Sequence, residues 1–247
     1  MKKTIITLLF SAAALFAGEI NIAVAANVSY AMDELKTEFA KTHPDTKVQV
    51  TLGSSGKLTA QIKNGAPYGL FMSANMKYPQ ALYDDKIATT KPVVYAQGAL
   101  AYLSAKPQDF AQGINLLASD KIQKIAIANP KTAPYGKAAV EAMKKAGIYA
   151  DAEKKFVYAE SISQVVTYAL SAADIGFIAK SSLYSPKMSA YKKDVNWAEV
   201  DPKLYTPIKQ GIVLLKFAKE NKEYQAFYDF ILSEKAKTIF KKYGYIL

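Results

Sequence analysis

Short strand-like segments alternate with helix-like segments along most of this chain. Residues 19–24 alternate apolar and polar side chains with a period of two, and Ala31, Leu35 and Phe39 then follow at helical spacing. Further strands are predicted at residues 48–52, 70–72, 93–104, 124–128, 157–159, 175–178 and 208–216, most of them separated by helices, and two helices from about Asn221 close the chain. This order predicts an α/β protein with mainly parallel sheets covered by helices.

The composition removes several classes of site. The 247 residues include no cysteine and one histidine, His43, so a catalytic triad or a histidine-rich metal site would depend on that single residue. All 32 basic residues are lysine and the net charge is +11. Because sequence-specific nucleic-acid readers use arginine for bidentate contacts, we expect no nucleic-acid partner. A basic structural protein remains an alternative.

The N-terminus has the pattern of an export signal. Lys2 and Lys3 precede a short apolar stretch, residues 4–16, and small residues follow. We predict a signal peptide over residues 1–17, with Gly18 as the mature N-terminus and the periplasm as destination. The cysteine that a lipoprotein anchor needs is absent.

Four junctions between a predicted strand and the next helix are small and polar. They are residues 25–29, 53–57, 132–136 and 160–163. Each places free backbone N–H groups at the positive end of a helix dipole, and small residues let an anion approach the backbone. One such junction is an ordinary helix cap, but four that converge could hold a dianion without a charged side chain. Residues 53–57 do not match a phosphate loop, since two residues separate the glycines and Leu58 follows the lysine.

In this order the junctions resemble those of the periplasmic molybdate-binding proteins of ABC importers, the ModA family. The likeness extends to Gly-Ala-Pro at 65–67, Leu-Phe-Met-Ser-Ala at 70–74 and Ile-Phe-Lys-Lys-Tyr-Gly at 239–244. The resemblance implies a two-lobed type II periplasmic binding protein fold, with a mixed, mainly parallel sheet in each lobe and a hinge between the lobes. It implies that residues 18–95 and 207–247 form the first lobe and residues 96–206 the second.

The resemblance also implies the ligands of the site. Asn27 and Ser55 of the first lobe and Tyr135 and Ile162 of the second would hold molybdate or tungstate, largely through backbone N–H groups, with Ala26 as a further backbone contact. The metal would be held as its oxyanion, with no direct metal ligand and no cofactor. The implied partner is a membrane permease, and we expect a monomer and no enzymatic activity.

Two positions depart from the family pattern. The family's anion-binding tyrosine after the strand at 175–178 is Ala179 here, so the Tyr135 hydroxyl or Lys180 could replace its hydroxyl. The family usually has an aspartate before Leu70, and this chain has Gly69 there.

Two other functions stay open. The chain could be a binding protein for sulfate or phosphate, or an exported hydrolase on the same scaffold. The hydrolase lacks a Gly-x-Ser-x-Gly nucleophile motif.

Overall fold

The computed structural model describes residues 18–247, and the predicted signal peptide lies outside them. Within the described residues, ten strands form two sheets of five. The strands are β1 (Glu19–Ala25), β2 (Lys47–Gly53), β3 (Leu70–Ser73), β4 (Val93–Gly98), β5 (Leu100–Leu103), β6 (Ile125–Ala128), β7 (Phe156–Ala159), β8 (Ile175–Ala179), β9 (Trp197–Glu199) and β10 (Ile208–Leu214). The first sheet has the order β2-β1-β3-β10-β4 and the second β7-β6-β8-β5-β9. We call the part of the chain around the first sheet lobe 1 and the part around the second lobe 2.

Helices cover these sheets and separate most of the parallel strands. They are α1 (Ser29–Ala40), α2 (Ser55–Lys63), α3 (Lys77–Asp84), α4 (Pro134–Lys145), α5 (Tyr149–Glu153), α6 (Ile162–Ser171), α7 (Lys222–Leu232) and α8 (Glu234–Lys242). A 3-10 turn, Ala26–Val28, joins β1 directly to α1, and a longer 3-10 segment covers Phe110–Ala118. No helix of residues 18–247 has both the length and the apolar character that a membrane span requires.

Both sheets are mixed, as the resemblance implies, but they are not mainly parallel. In lobe 1, β1 pairs in parallel with β2 and β3, whereas β10 is antiparallel to β3 and β4. In lobe 2, β6 is parallel to β7 and β8, whereas β5 is antiparallel to β8 and β9. Parallel pairs are therefore half of each sheet rather than most of it. The antiparallel strands β5 and β10 are those that the chain enters on passing from one sheet to the other.

The prediction of a single long strand over residues 93–104 is wrong. This segment forms two strands, β4 and β5, which belong to different sheets and are separated only by Ala99. Gly98 makes this crossing possible, because a Cβ there would lie 1.9 Å from the Tyr135 hydroxyl and 2.7 Å from the Gln210 amide nitrogen. The chain returns to the first sheet between Glu199 and Ile208. The lobe boundaries after residues 95 and 206 stay a prediction, although β4 itself continues to Gly98.

Each lobe has its own apolar core, which fixes the sheet relative to its helices. In lobe 1, Ile20 and Ile22 of β1 are buried with Leu35 of α1 and Phe227 of α7. In lobe 2, residues of β6 and β8 are buried against α4 and α6, among them Ile125, Ile127, Phe177, Ala139, Met143 and Val165. A fully buried side chain of the size of isoleucine or phenylalanine contributes about 1.5–3 kcal/mol. These cores hold the carboxyl ends of β1, β2, β6 and β7 in place, and the four candidate loops begin there.

Candidate anion-binding site

A small cavity lies where the four predicted junctions meet. It is lined by residues of both lobes, which are Ala25, Ala26, Asn27, Gly53, Ser54, Ser55, Ala74, Ala133, Pro134, Tyr135 and Ile162. All five residues proposed from the sequence are among them, and the lining contains no lysine, aspartate, glutamate or histidine. The cavity is small, about 10 Å³, far below the roughly 300–1,000 Å³ of pockets that hold organic ligands.

Backbone N–H groups of helix first turns surround this cavity. Tyr135 is the second residue of α4, after Pro134, and Ile162 is the first residue of α6. Ser55 is the first residue of α2, and Asn27 lies in the 3-10 turn that leads into α1. First-turn N–H groups have no partner within their own helix, and they carry the positive end of the helix dipole. The site can therefore stabilise negative charge without a cationic side chain.

The Ser55 hydroxyl is oriented by lobe 1 and keeps its own proton for another partner. Ser55 is fully buried, and its Oγ accepts a hydrogen bond from the backbone N–H of Ala74 at 2.9 Å. A serine hydroxyl has one donor and two acceptor positions. Because the Ala74 bond uses only an acceptor position, the O–H remains available to an anion.

Ser54, which is not among the residues predicted from the sequence to bind the anion, also lines the cavity. It is the N-cap residue of α2, yet its side chain makes no capping hydrogen bond. Its Oγ is buried without a partner. A buried polar group without a partner costs about 1–3 kcal/mol, so a hydroxyl that lines a ligand cavity in this state is a candidate ligand donor. Ser-Ser at the start of a helix is the only signal in the sequence, and it does not tell which serine is free.

The Asn27 amide is held by a buried cluster at the back of the cavity. Asn27 Nδ2 donates to Gln210 Oε1 at 2.8 Å and to the Tyr245 hydroxyl at 2.9 Å, whereas Asn27 Oδ1 is buried without a partner. The Tyr95 hydroxyl also donates to Gln210 Oε1, at 2.8 Å, and Gln210 Nε2 donates to the Tyr135 hydroxyl at 3.1 Å. We call Asn27, Tyr95, Tyr135, Gln210 and Tyr245 the amide cluster. Asn27 therefore lines the cavity while both hydrogen bonds of its amide nitrogen go to other residues of the amide cluster.

Neither substitute considered for the missing family tyrosine is free of other partners. The Tyr135 hydroxyl already accepts the bond from Gln210, and burial holds the pKa of Tyr135 well above its usual range, so the group stays neutral. Lys180 Nζ lies 2.7 Å from the Glu199 carboxylate. Ala179 is buried at the end of β8.

The two lobes touch beside the cavity, through residues that adjoin Ser55 and Ala133 in the chain, so the lobes are closed there. The backbone N–H of Gly56 in lobe 1 donates to the Thr132 carbonyl of lobe 2 at 2.9 Å. Beside it, Lys57 forms an ion pair with Glu160, and both side chains are at least half exposed. An exposed pair of this kind contributes little to stability, which makes the backbone bond and the close packing around Gly56 the more specific contacts.

Comparison with known proteins shows the family of the chain. Residues 20–246 match the sequence profile of the family described as bacterial extracellular solute-binding protein. The chain belongs to this family. Family membership covers both lobes and all four junctions, because the match spans nearly the whole described chain.

Two proteins that are named for molybdate binding are similar to nearly the whole chain. The molybdate-binding protein ModA of Rhodobacter capsulatus is 37% identical over 232 residues, which cover 93% of this chain and 89% of that protein. The structure of the Azotobacter vinelandii periplasmic molybdate-binding protein superimposes with a TM-score of 0.84 at 33% identity, and the match covers 92% of this chain and 99% of that one. The resemblance predicted from the sequence is confirmed.

More distant structures share the fold alone. The sulfate-binding protein SubI of Mycobacterium tuberculosis superimposes with a TM-score of 0.76 at 11% identity, over 92% of this chain and 86% of that one. The predicted two-lobed α/β fold is thus confirmed.

His43 lies outside the cavity. Its ring stacks on Phe39 with ring centroids 4.4 Å apart. Among residues 18–247 no group of three or more histidine, aspartate or glutamate side chains is placed to hold a metal ion.

Proposed function

We propose that this protein captures a tetrahedral, fully deprotonated oxyanion, molybdate and with it tungstate, between its two lobes. The observation that carries the proposal is the cavity itself, which four helix N-termini surround and no charged side chain lines. Asn27, Ser55, Tyr135 and Ile162 supply its donors, largely from the backbone, with Ala26 as a further contact. Each helix end adds about 0.3–2 kcal/mol of stabilisation to a bound anion.

The donor set favours a dianion that carries no proton. Phosphate keeps a proton near neutral pH, so a phosphate site needs a carboxylate or similar acceptor, and the cavity lining holds no carboxylate. Sulfate is fully deprotonated but smaller than molybdate. The names of the two similar ModA proteins support molybdate over sulfate.

The site is built for binding rather than for catalysis. A hydrolase on this scaffold would need a base within reach of a nucleophile. The hydroxyls that line the cavity belong to Ser54, Ser55 and Tyr135, and no lining side chain can act as their base. The relatives are binding proteins as well.

Delivery to a membrane permease is the second half of the proposal. The predicted signal peptide and the family's extracellular character support a periplasmic protein, which we expect to be a monomer. The closed lobes would release the anion to the permease of an ABC importer when they open.

Thermal unfolding and calorimetry with molybdate, tungstate, sulfate and phosphate test this function. A ligand that binds only the folded state raises the melting temperature with concentration. We expect similar large shifts with molybdate and tungstate and much smaller ones with sulfate and phosphate. A preference for sulfate or phosphate would overturn the specificity, and no shift with any of the four anions would overturn the function.

A further inference from the structure

Gln210 connects two of the proposed anion loops, although it does not line the cavity. It lies on β10 at an irregularity in the pairing with β4, and its side chain is fully buried. Through Oε1 it accepts from Asn27 of lobe 1, and through Nε2 it donates to the Tyr135 hydroxyl of lobe 2. One side chain therefore joins the first and third anion loops across the lobes.

The amide cluster leaves one atom without a partner, and that atom belongs to a cavity-lining residue. Both Asn27 Nδ2 bonds go to the cluster, and Asn27 Oδ1 is left buried and unpaired. An amide oxygen only accepts hydrogen bonds, so it cannot donate to a deprotonated anion. The amide nitrogen would serve the anion better.

A second hydrogen-bond arrangement of the same atoms removes this conflict. If the Asn27 and Gln210 amides both turn by half a rotation, Gln210 Nε2 donates to Asn27 Oδ1 and Gln210 Oε1 accepts from the Tyr135 hydroxyl. Hydroxyl groups can reverse their donor and acceptor roles, so Tyr135 permits this exchange. Asn27 Nδ2 then takes the position of the unpaired oxygen.

The remaining partners of the cluster permit the same exchange. Tyr95 can accept from Gln210 Nε2 and donate to the Ser73 carbonyl, which lies 3.5 Å from its hydroxyl. The Asn27 carbonyl has two donors, the Ser181 hydroxyl at 3.0 Å and the Tyr245 hydroxyl at 2.9 Å. Tyr245 can therefore turn to Asn27 Oδ1 without leaving that carbonyl unpaired.

We propose that Gln210 is a positioning residue for the oxyanion. By turning together with Asn27 it presents the Asn27 amide nitrogen to the anion, and through Tyr135 it couples this change to lobe 2. The inference rests on the proposed function, since it concerns the same site. It adds a residue that contacts no ligand and an exchange of hydrogen bonds that accompanies binding.

Two substitutions at Gln210 test this role by calorimetry with molybdate. In Gln210→Glu the ionised carboxylate can only accept hydrogen bonds, so it binds the Asn27 amide nitrogen and keeps it away from the anion. It also brings a negative charge near the anion. We therefore expect the affinity for molybdate to fall at least about 100-fold at pH 8. A protonated carboxyl can donate to Asn27 Oδ1, so between about pH 8 and pH 5.5 affinity should recover at least about tenfold relative to the parent at the same pH. Gln210→Met, which neither donates nor accepts through nitrogen or oxygen, should lose about tenfold at every pH.

A matched control adds the same charge elsewhere. Gln49 is half-buried on the edge strand β2 and lines no part of the cavity. We expect Gln49→Glu to change the affinity less than about twofold, because its charge is screened by solvent. Circular dichroism and melting temperature establish that each variant folds. If a Gln210 variant does not fold, Tyr135→Phe removes the same link from lobe 2 and should weaken binding about tenfold.

The outcomes separate this inference from the function. If the parent binds none of the four anions, the proposed function fails. If the parent binds molybdate and the folded Gln210 variants bind it as tightly, or without the recovery of Gln210→Glu at low pH, Gln210 is a structural residue only and the inference is overturned. Unchanged affinity in a folded Tyr135→Phe variant overturns it as well.

Discussion

The backbone N–H of Gly56 donates a hydrogen bond to the carbonyl oxygen of Thr132, from one lobe to the other, at 2.9 Å. Gly56 is the second residue of α2, in lobe 1, and Thr132 precedes α4, in lobe 2. A Cβ on Gly56 would lie 2.9 Å from Thr132 Cα and 3.0 Å from its carbonyl oxygen. The lobes can therefore approach this closely only because residue 56 has no side chain.

Gly56→Ala should weaken the closure of the two lobes without lowering the stability of the fold. Alanine in a helix is about 1 kcal/mol more favourable than glycine, so the anion-free protein should melt at the same temperature or higher. The closed state should lose the Thr132 contact, and we expect molybdate affinity to fall about tenfold or more. Small-angle scattering at saturating molybdate should show a larger radius than for the parent. Parental affinity together with parental compaction would contradict the closure argument.

The two neighbouring serines should differ in what they contribute. Ser55→Ala removes a proposed anion donor and leaves the buried Ala74 N–H without its acceptor, so both binding and stability should fall. A hydrogen bond to a charged group is worth about 1.5–3 kcal/mol, or roughly 10–100-fold in affinity. Ser54→Ala removes a buried oxygen that has no partner in the protein. The anion-free protein should then keep its stability or gain some, while any loss of affinity reports a direct contact with the anion.

Calorimetry and thermal unfolding on both variants separate these effects. Equal affinity of the Ser54→Ala variant and the parent would remove Ser54 from the site. If the Ser55→Ala variant binds molybdate as tightly as the parent, the Ser55 hydroxyl is not a donor to the anion.

Lysines around a second cleft should steer the anion toward the cavity. This cleft, of about 400 Å³, shares Ala133 and Pro134 with the anion cavity. Lys77, Lys131, Lys137 and Lys209 line it, and all four are exposed. None of the four forms an ion pair within residues 18–247. Their combined charge should raise the local concentration of dianions.

Replacing these four lysines by glutamine should slow association, by about tenfold at low salt, and leave the dissociation rate unchanged. The difference from the parent should disappear near 1 M salt, where the screening length is about 3 Å. Stopped-flow measurements over a salt series check this. A control that replaces Lys219, Lys222, Lys235 and Lys241 removes the same charge around α7 and α8. Equal slowing in both variants would show a net-charge effect rather than steering by the cleft.

The sequence predicts which residues line the cavity better than it predicts their hydrogen bonds. Junction composition and family resemblance together name Ala26, Asn27, Ser55, Tyr135 and Ile162, and all five line one cavity. Gln210 was missed because it is 183 positions from Asn27, and an isolated glutamine in an apolar strand has no local signature. The ion pair between Lys180 and Glu199 was missed for a similar reason, because the pairing of β5 with both β8 and β9 brings the two residues together.

Elements that tertiary contacts determine were also missed. The short strand β9 forms through its pairing with β5 and has no apolar alternation long enough to recognise. The helix Tyr149–Glu153 is a single turn supported by packing rather than by a periodic face. Residues 93–104 are continuously strand-like, and the break at Ala99 depends on Gly98 meeting Tyr135 and Gln210 from elsewhere in the chain. The periodicity of apolar residues indicates which side of a segment is buried, but it does not indicate which sheet the segment joins.

Asn27→Asp should nearly abolish anion binding while the fold persists. The two side chains are almost equal in shape, and Gln210 can turn its Nε2 toward the new carboxylate, so the amide cluster keeps its contacts. The change places a negative charge on a residue that lines the cavity. Two like charges about 4 Å apart repel by roughly 4 kcal/mol at an effective dielectric near 20, and a dianion roughly doubles this. Even half of that larger figure, roughly 4 kcal/mol, is on the order of a thousandfold in affinity. Burial and the bound dianion both favour the protonated carboxyl, so the loss of affinity should become smaller as the pH falls.

Asn221→Asp is the matched control, because Asn221 caps α7 through its side chain at 2.9 Å from the Glu223 N–H and lines no part of the cavity. Calorimetry with molybdate on both variants, with circular dichroism to establish folding, decides the outcome. Affinity of Asn27→Asp within about tenfold of the parent, a difference of about 1.4 kcal/mol, would mean that Asn27 belongs to the buried amide cluster alone and not to the anion site.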